Sequence, residues 1–218
     1  TSEITKQPTL NEEGIETFTC GNCGDTYTKP IAKLEGGVAA VNGYKYATLA
    51  EAFAAAKSGD VVTLLADATV TVDTVLAAGV TYEIPADLTL TVAEGVTVTA
   101  DAAAILNCAG TIVVAGKADI SALKYGTTFG AKGGKLTVKA TGTVVMLKSW
   151  ENIWTPVNDA QLGSMLKNCE DGANIEVGAQ KWALNSGAWA HLNHTFADGT
   201  CSVCGEPEGP IADANLTF

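Results

Sequence analysis

The chain has 218 residues, is 47% hydrophobic and 17% charged, and sets 13 basic side chains against 24 acidic ones for a formal net charge of −11. All of the basic side chains are Lys, and an acidic chain without guanidinium groups excludes a phosphate-gripping, nucleic-acid-binding surface. No run of residues approaches the roughly 18 apolar positions that a membrane-spanning helix needs, so helical insertion is excluded as well.

Residues 1–36 are polar and too few to build a core of their own. They carry the first cysteine pair in Cys20-Gly21-Asn22-Cys23-Gly24, the CxxCG shape of a knuckle that places two thiolates on one tight turn. After Gly36-Gly37, Thr48 stands as an N-cap with Glu51 three residues on, and Leu49, Ala52, Phe53 and Ala56 share one face. This predicts a short helix opened by a capping box and stopped at Ser58-Gly59-Asp60. Val61–Leu65 then reads as a buried strand.

From Val61 to about Lys148 the sequence consists of short Val/Thr/Leu runs broken by Gly or Asp, as in Gly79-Val80-Thr81, Asp87-Leu88-Thr89-Leu90 and Gly95-Val96-Thr97-Val98. Stepping by 24 residues aligns Leu64, Leu88, Ile112 and Leu136, then Val72, Val96, Ile120 and Val144. Two positions beyond the first column lie Ala66, Leu90, Val114 and Val138, and a weaker column joins Val80, Ala104 and Thr128. Three strands in a coil of about 24 residues predict a mainly β fold, a short single-stranded right-handed β-helix whose stacked coils share one core. The helix before it would cap the exposed end, and an antiparallel β-sandwich of the same strands is the alternative. The resulting division is a knuckle segment at 1–36, capping helix plus β-helix at 37–148, a Trp-rich helix and strand cap at 149–192, a second knuckle at 193–209 and the start of a following domain at 210–218. In the cap, 158–167 reads as a second helix, 174–177 as a strand and 181–192 as a strand pair. The chain opens at Thr1 without a basic-then-apolar leader, so a secretion signal would have been removed or lie outside it, and 212–218 reads like a strand starting, which suits a monomeric module of a longer protein.

The second knuckle holds Cys201 and Cys204, and the chain's two histidines, His191 and His194, precede it. Cys20, Cys23, Cys201 and Cys204 could make a four-cysteine site if the chain ends meet. His194 with Cys201 and Cys204, with or without His191, makes a histidine-centred one. Either set suits structural zinc, which binds thiolate and imidazole tetrahedrally. Two local disulfides, or reduced pairs without metal, are the remaining reading. Cys108 reads as a small core hydrophobe, and Cys169 as an exposed thiol beyond a helix.

At these motifs the chain resembles modules of large cell-surface proteins of gut-type Gram-positive bacteria. The segment from Thr5 to Gly24 is similar to their short cysteine repeat, with Leu10 where that repeat usually has a further Cys; His194 to Gly205 is similar to the matching terminal motif, and Tyr46–Leu65 to the lead-in of surface β-helix repeats. The resemblance implies a secreted or wall-attached, non-catalytic module.

The expected function is therefore an extracellular surface module, structural or adhesive and zinc-stabilised, whose partners would be a glycan or a host or bacterial surface protein. Carbohydrate binding is an alternative carried by Trp150, Trp154, Trp182 and Trp189: exposed indoles stack on sugars, whereas buried ones would plug the open end of the solenoid. A polysaccharide lyase or hydrolase is disfavoured. Such sites need clustered carboxylates or bases, and here Asp67, Asp73, Asp87, Glu94, Asp101 and Asp119 fall mostly at turns.

Overall fold

The computed structural model describes residues 1–123, 133–146 and 165–202. Strands β1 (Ser2–Lys6), β2 (Gly14–Thr19) and β3 (Thr26–Ile31) form an antiparallel sheet in that order. It is fastened to the next element by Asn11, whose side-chain amide donates to the Lys45 carbonyl at 2.8 Å and whose Oδ1 accepts from the Lys45 N–H at 2.7 Å. That element is the hairpin β4 (Ala39–Val41) and β5 (Tyr44–Tyr46).

Helix α1 (Leu49–Ala55) follows with its capping box complete: the Glu51 N–H donates to Thr48 Oγ1 at 3.2 Å and the Thr48 N–H to Glu51 Oε2 at 3.0 Å. Its inner face buries Leu49 and Ala52, and Phe53 meets Tyr82 edge-on with 5.3 Å between ring centroids. The helix closes the first end of the stack, as the sequence predicts. Because the cap satisfies otherwise orphaned helical N–H groups, Thr48→Ala is expected to cost about 1 kcal/mol in urea denaturation.

The solenoid has about three coils. The first is β6 (Val61–Leu64), β7 (Ala68–Val70) and β8 (Thr74–Leu76); the second is β9 (Thr81–Ile84), β10 (Thr89–Val92) and β11 (Thr97–Ala100); the third is β12 (Ile105–Cys108), β13 (Thr111–Val114) and β14 (Lys117–Asp119). Each strand pairs in parallel with its counterpart one coil away, which makes three faces. This parallel stacking replaces the antiparallel sandwich alternative. Strands β15 (Lys135–Val138), β16 (Thr143–Val145) and β17 (Asn174–Val177) add further rungs, and β4 pairs antiparallel to β6 at the start.

The coil length is not uniform. Partners Val62, Tyr82 and Leu106 lie 20 and 24 residues apart, Ala68, Leu90, Ile112 and Leu136 lie 22, 22 and 24 apart, and Thr74, Val98, Ala118, Val144 and Ile175 lie 24, 20, 26 and 31 apart. The predicted columns are corrected accordingly. Ile112 does stack on Leu136, and Val114 on Val138, but Leu90 rather than Leu88 faces Ile112, and Leu64 belongs to another face. Val72 is 60% exposed, and Val144 stacks on Ala118 rather than Ile120. Val80 and Ala104 are both buried in adjacent coils; Thr128 lies outside the described residues.

Alternate positions of most strands point inward, giving a core of Val, Leu, Ile and Ala in which Cys108 is fully buried. Burial pushes its thiol pKa up to about 12. Cys169 is half-buried rather than exposed, with the Val138 N–H directed at its sulfur at 3.4 Å, and burial raises its pKa. The turn aspartates also have structural work. The Thr89 N–H donates to Asp67 Oδ1, and the Thr97 N–H to Asp73 Oδ1, both at 2.7 Å across one coil. These carboxylates satisfy strand-start donors of the next coil.

Beyond β17, the strand pair predicted over 181–192 is present as β18 (Gln180–Asn185) and β19 (Ala188–His191), antiparallel to one another and continuing the third face. The predicted helix over 158–167 lies almost wholly outside the described residues; within it, Met165 is buried and Leu166 bridges to Leu136. Among the described residues no helix is long and apolar enough to cross a membrane.

Candidate metal centre

The site is built on the last rung of the third face. Alternation along β18 turns Trp182 and Leu184 inward, and the register sets Trp182 opposite His191 on β19. The two rings lie 4.6 Å apart, and His191 is only 5% exposed. A buried imidazole needs a polar partner on each nitrogen. His191 has both: Nε2 lies 2.6 Å from Gln180 Oε1, and Nδ1 lies 3.7 Å from Cys201 Sγ.

Cys201 reaches this position through a small hairpin, β20 (Phe196–Ala197) and β21 (Thr200–Cys201). Its two-residue loop, Asp198-Gly199, has φ of 52° and 76°, the positive values at both positions that a type I′ turn requires. The segment leading into the hairpin is pinned to β18. The Lys181 N–H donates to Asn193 Oδ1 at 2.8 Å, the Leu192 N–H donates to the Lys181 carbonyl at 2.8 Å, and the Asn193 amide donates to the Ala179 carbonyl. His194 then stands nearly perpendicular to His191 with ring centroids 4.8 Å apart, and stacks on Phe196.

The outcome is a His191, His194 and Cys201 cluster whose ligand atoms all lie within 4.8 Å of one another, a group that could hold a metal ion. The donor chemistry fits. With metal–nitrogen bonds of about 2.0 Å and metal–sulfur bonds of about 2.3 Å, a tetrahedral zinc site has a nitrogen-to-sulfur edge of roughly 3.5 Å. The 3.7 Å between His191 Nδ1 and Cys201 Sγ is close to that edge, and the cluster as a whole, within 4.8 Å, would draw in on binding. Cys201 is 2% exposed, as in a closed structural site.

Cys20 and Cys23 do not join this cluster. They are exposed on the turn between β2 and β3, in the sheet fastened to the opposite end of the solenoid. The turn has knuckle geometry nonetheless. Hydrogen bonding from the Cys23 thiol, then from the Cys23 and Asn22 backbone N–H groups, lowers the Cys20 pKa to about 7. The described residues bring together His191, His194 and Cys201 of the histidine-centred set. Cys204 lies outside them. Because the thiolate is the nucleophile, iodoacetamide mass mapping is expected to find Cys20 about half reactive near pH 7 and more so as pH rises, with Cys108 unlabelled in the folded protein.

The tryptophans divide. Trp150 and Trp154 lie outside the described residues. Trp182 is 3% exposed, with an indole N–H that finds no acceptor among the described residues, and Trp189 is half-buried against the same core. Trp182 is closed in between its strand partners Ile175 and His191 and packs in the core rather than standing exposed. The sequence weighed His191 only as one optional ligand, and it missed Gln180 and Asn193. The available signal was alternation, since Gln180 shares the inward face of Trp182 and Leu184.

No protein-family model, no curated protein and no solved structure matches the chain.

Proposed function

We propose that the chain is a non-catalytic, extracellular or cell-wall-associated structural module, a rigid solenoid spacer whose far end is clamped by structural zinc. The observation that carries this reading is the His191, His194 and Cys201 cluster, which with a metal bound would tie the tail to the last rung of the solenoid. Zinc there would be held by these three side chains and, three residues beyond Cys201, by Cys204. It would supply a cross-link and no reaction, because a catalytic zinc keeps an open position facing substrate. As part of a longer surface protein, such a module would present its faces to a glycan or a neighbouring surface protein.

The acidic residues support the non-catalytic reading. Asp67 and Asp73 are occupied by backbone N–H groups of the next coil, and Asp60 accepts from the Lys57 N–H and the Asn42 amide, so they are committed to holding the coils in place. The Cys201–His191–Gln180 series has the atom order of a nucleophile relay, but a sulfur buried at 2% exposure is inaccessible to a polymer substrate. Incubation with a panel of acidic and neutral polysaccharides is expected to release no reducing or unsaturated ends. Release that disappears in Cys201→Ser, or in a turn-aspartate variant such as Asp73→Asn, would overturn the non-catalytic reading.

A further inference from the structure

Resting on the metal reading above, we infer that Gln180 is the positioning residue of the site: its side-chain carbonyl holds His191 as the Nε2–H tautomer and so presents Nδ1 to the metal. A neutral imidazole carries one proton, and the hydrogen bond made by one nitrogen decides which nitrogen is left to bind metal. Here the two nitrogens have separate partners. Nε2 is 2.6 Å from Gln180 Oε1, an acceptor, while Nδ1 faces Cys201 Sγ at 3.7 Å. In the opposite tautomer, Nδ1–H would point at the cluster, and the Gln180 amide would have to turn over to offer an N–H to Nε2.

The placement of Gln180 also makes it a firm support. It opens β18 and pairs with Val177 across the β17–β18 turn, and it shares a sheet face with Trp182, whose ring lies against His191. The neighbouring Lys181 N–H is held by Asn193. A metal bound through His191 Nδ1 would therefore be connected through one hydrogen bond to the final rung of the solenoid, so metal loading would be felt at β17 and β18 as well as in the tail.

The test is long-range nitrogen–proton NMR of the histidine rings in metal-free protein, followed by competitive zinc titration of wild type, Gln180→Leu and Gln180→Glu. Wild type is expected to show His191 protonated at Nε2. Gln180→Leu is expected to show a mixture of tautomers and a zinc affinity lower by about 10- to 100-fold, and Gln180→Glu, which keeps the acceptor, to restore both. Wild-type His191 protonated at Nδ1 would overturn the inference, as would Gln180→Leu with unchanged tautomer and affinity. The wild-type spectrum can overturn the inference by itself, and where Gln180→Leu fails to fold, unchanged affinity in a Gln180→Ala variant would overturn it as well. Failure of the metal reading is distinguishable, since it would appear as wild-type protein that binds no zinc while its metal-free tautomer is still read.

Discussion

Cys201→Ser is expected to abolish the zinc-dependent stabilisation that the proposed clamp predicts for the wild-type chain. A ligand that binds only the folded state stabilises it by about 4 kcal/mol when its free concentration is 1,000-fold above Kd, which for a chain of this size is a melting shift of roughly 10 °C. The comparison is between scans with zinc and with chelator for each protein. That difference removes the separate cost of altering a buried side chain, which matters more for His191→Ala because its ring fills space between Trp182 and His194. Both variants should show a zinc-dependent shift near zero, whereas Cys20→Ser should retain the wild-type shift, since Cys20 lies on the turn between β2 and β3.

Gly142→Ala is expected to be the most damaging small substitution in the solenoid. A Cβ at this corner would sit 2.1 Å from the Val114 carbonyl oxygen and 2.9 Å from Val138 Cγ1. Neither neighbour can retreat, because Val114 and Val138 are themselves fully buried partners in the β13–β15 ladder. Relief requires separating two coils, at a cost of about 3 kcal/mol or more in urea denaturation. The same approach recurs at Gly116, where a Cβ would meet the Val96 carbonyl oxygen at 2.2 Å. Gly21→Ala is the control: nothing lies within 4 Å of its position, and a change within about 0.5 kcal/mol is expected. A mild effect at Gly142 would mean that the coils are not packed as closely as described.

The architecture was legible in the sequence because it is written locally. Thr48 and Glu51 announce the capping box at one position each, and alternation of Val, Leu and Ile with Thr marks the strands wherever they fall. The register was not legible in the same way. Shifting a strand by two residues keeps every side chain on its own side, so the pairs Leu88 with Ile112 and Leu90 with Ile112 are equally consistent with alternation. Only the corners decide between them, and the corners differ. Tyr82 follows Val62 by 20 residues, whereas Ile175 follows Val144 by 31, and a fixed 24-residue step therefore drifts off the true columns.

The candidate metal centre was half legible for a related reason. Cys201 and His194 stand out as scarce residue types close in sequence, but closeness in sequence says nothing of which way a side chain faces. His191 turns inward because it ends β19 opposite Trp182, and Gln180 reaches it from the adjacent strand. Both depend on the β18–β19 register, which is set by the two-residue Ser186-Gly187 loop with φ of 50° and 78°. The distant knuckle illustrates the converse. Cys20 and Cys23 have the same spacing as Cys201 and Cys204, yet the fold carries them to the other end of the solenoid, where among the described residues no third ligand joins them.

The most direct test is elemental analysis of the purified chain after metal-replete expression and dialysis, with Cys201→Ser and the double variant Cys20→Ser/Cys23→Ser measured alongside. A zinc clamp at the solenoid end predicts about one zinc per wild-type chain, near-complete loss in Cys201→Ser and full retention in the double variant. Wild-type protein with only a trace of zinc, or zinc that disappears with Cys20 and Cys23 and persists without Cys201, would contradict it.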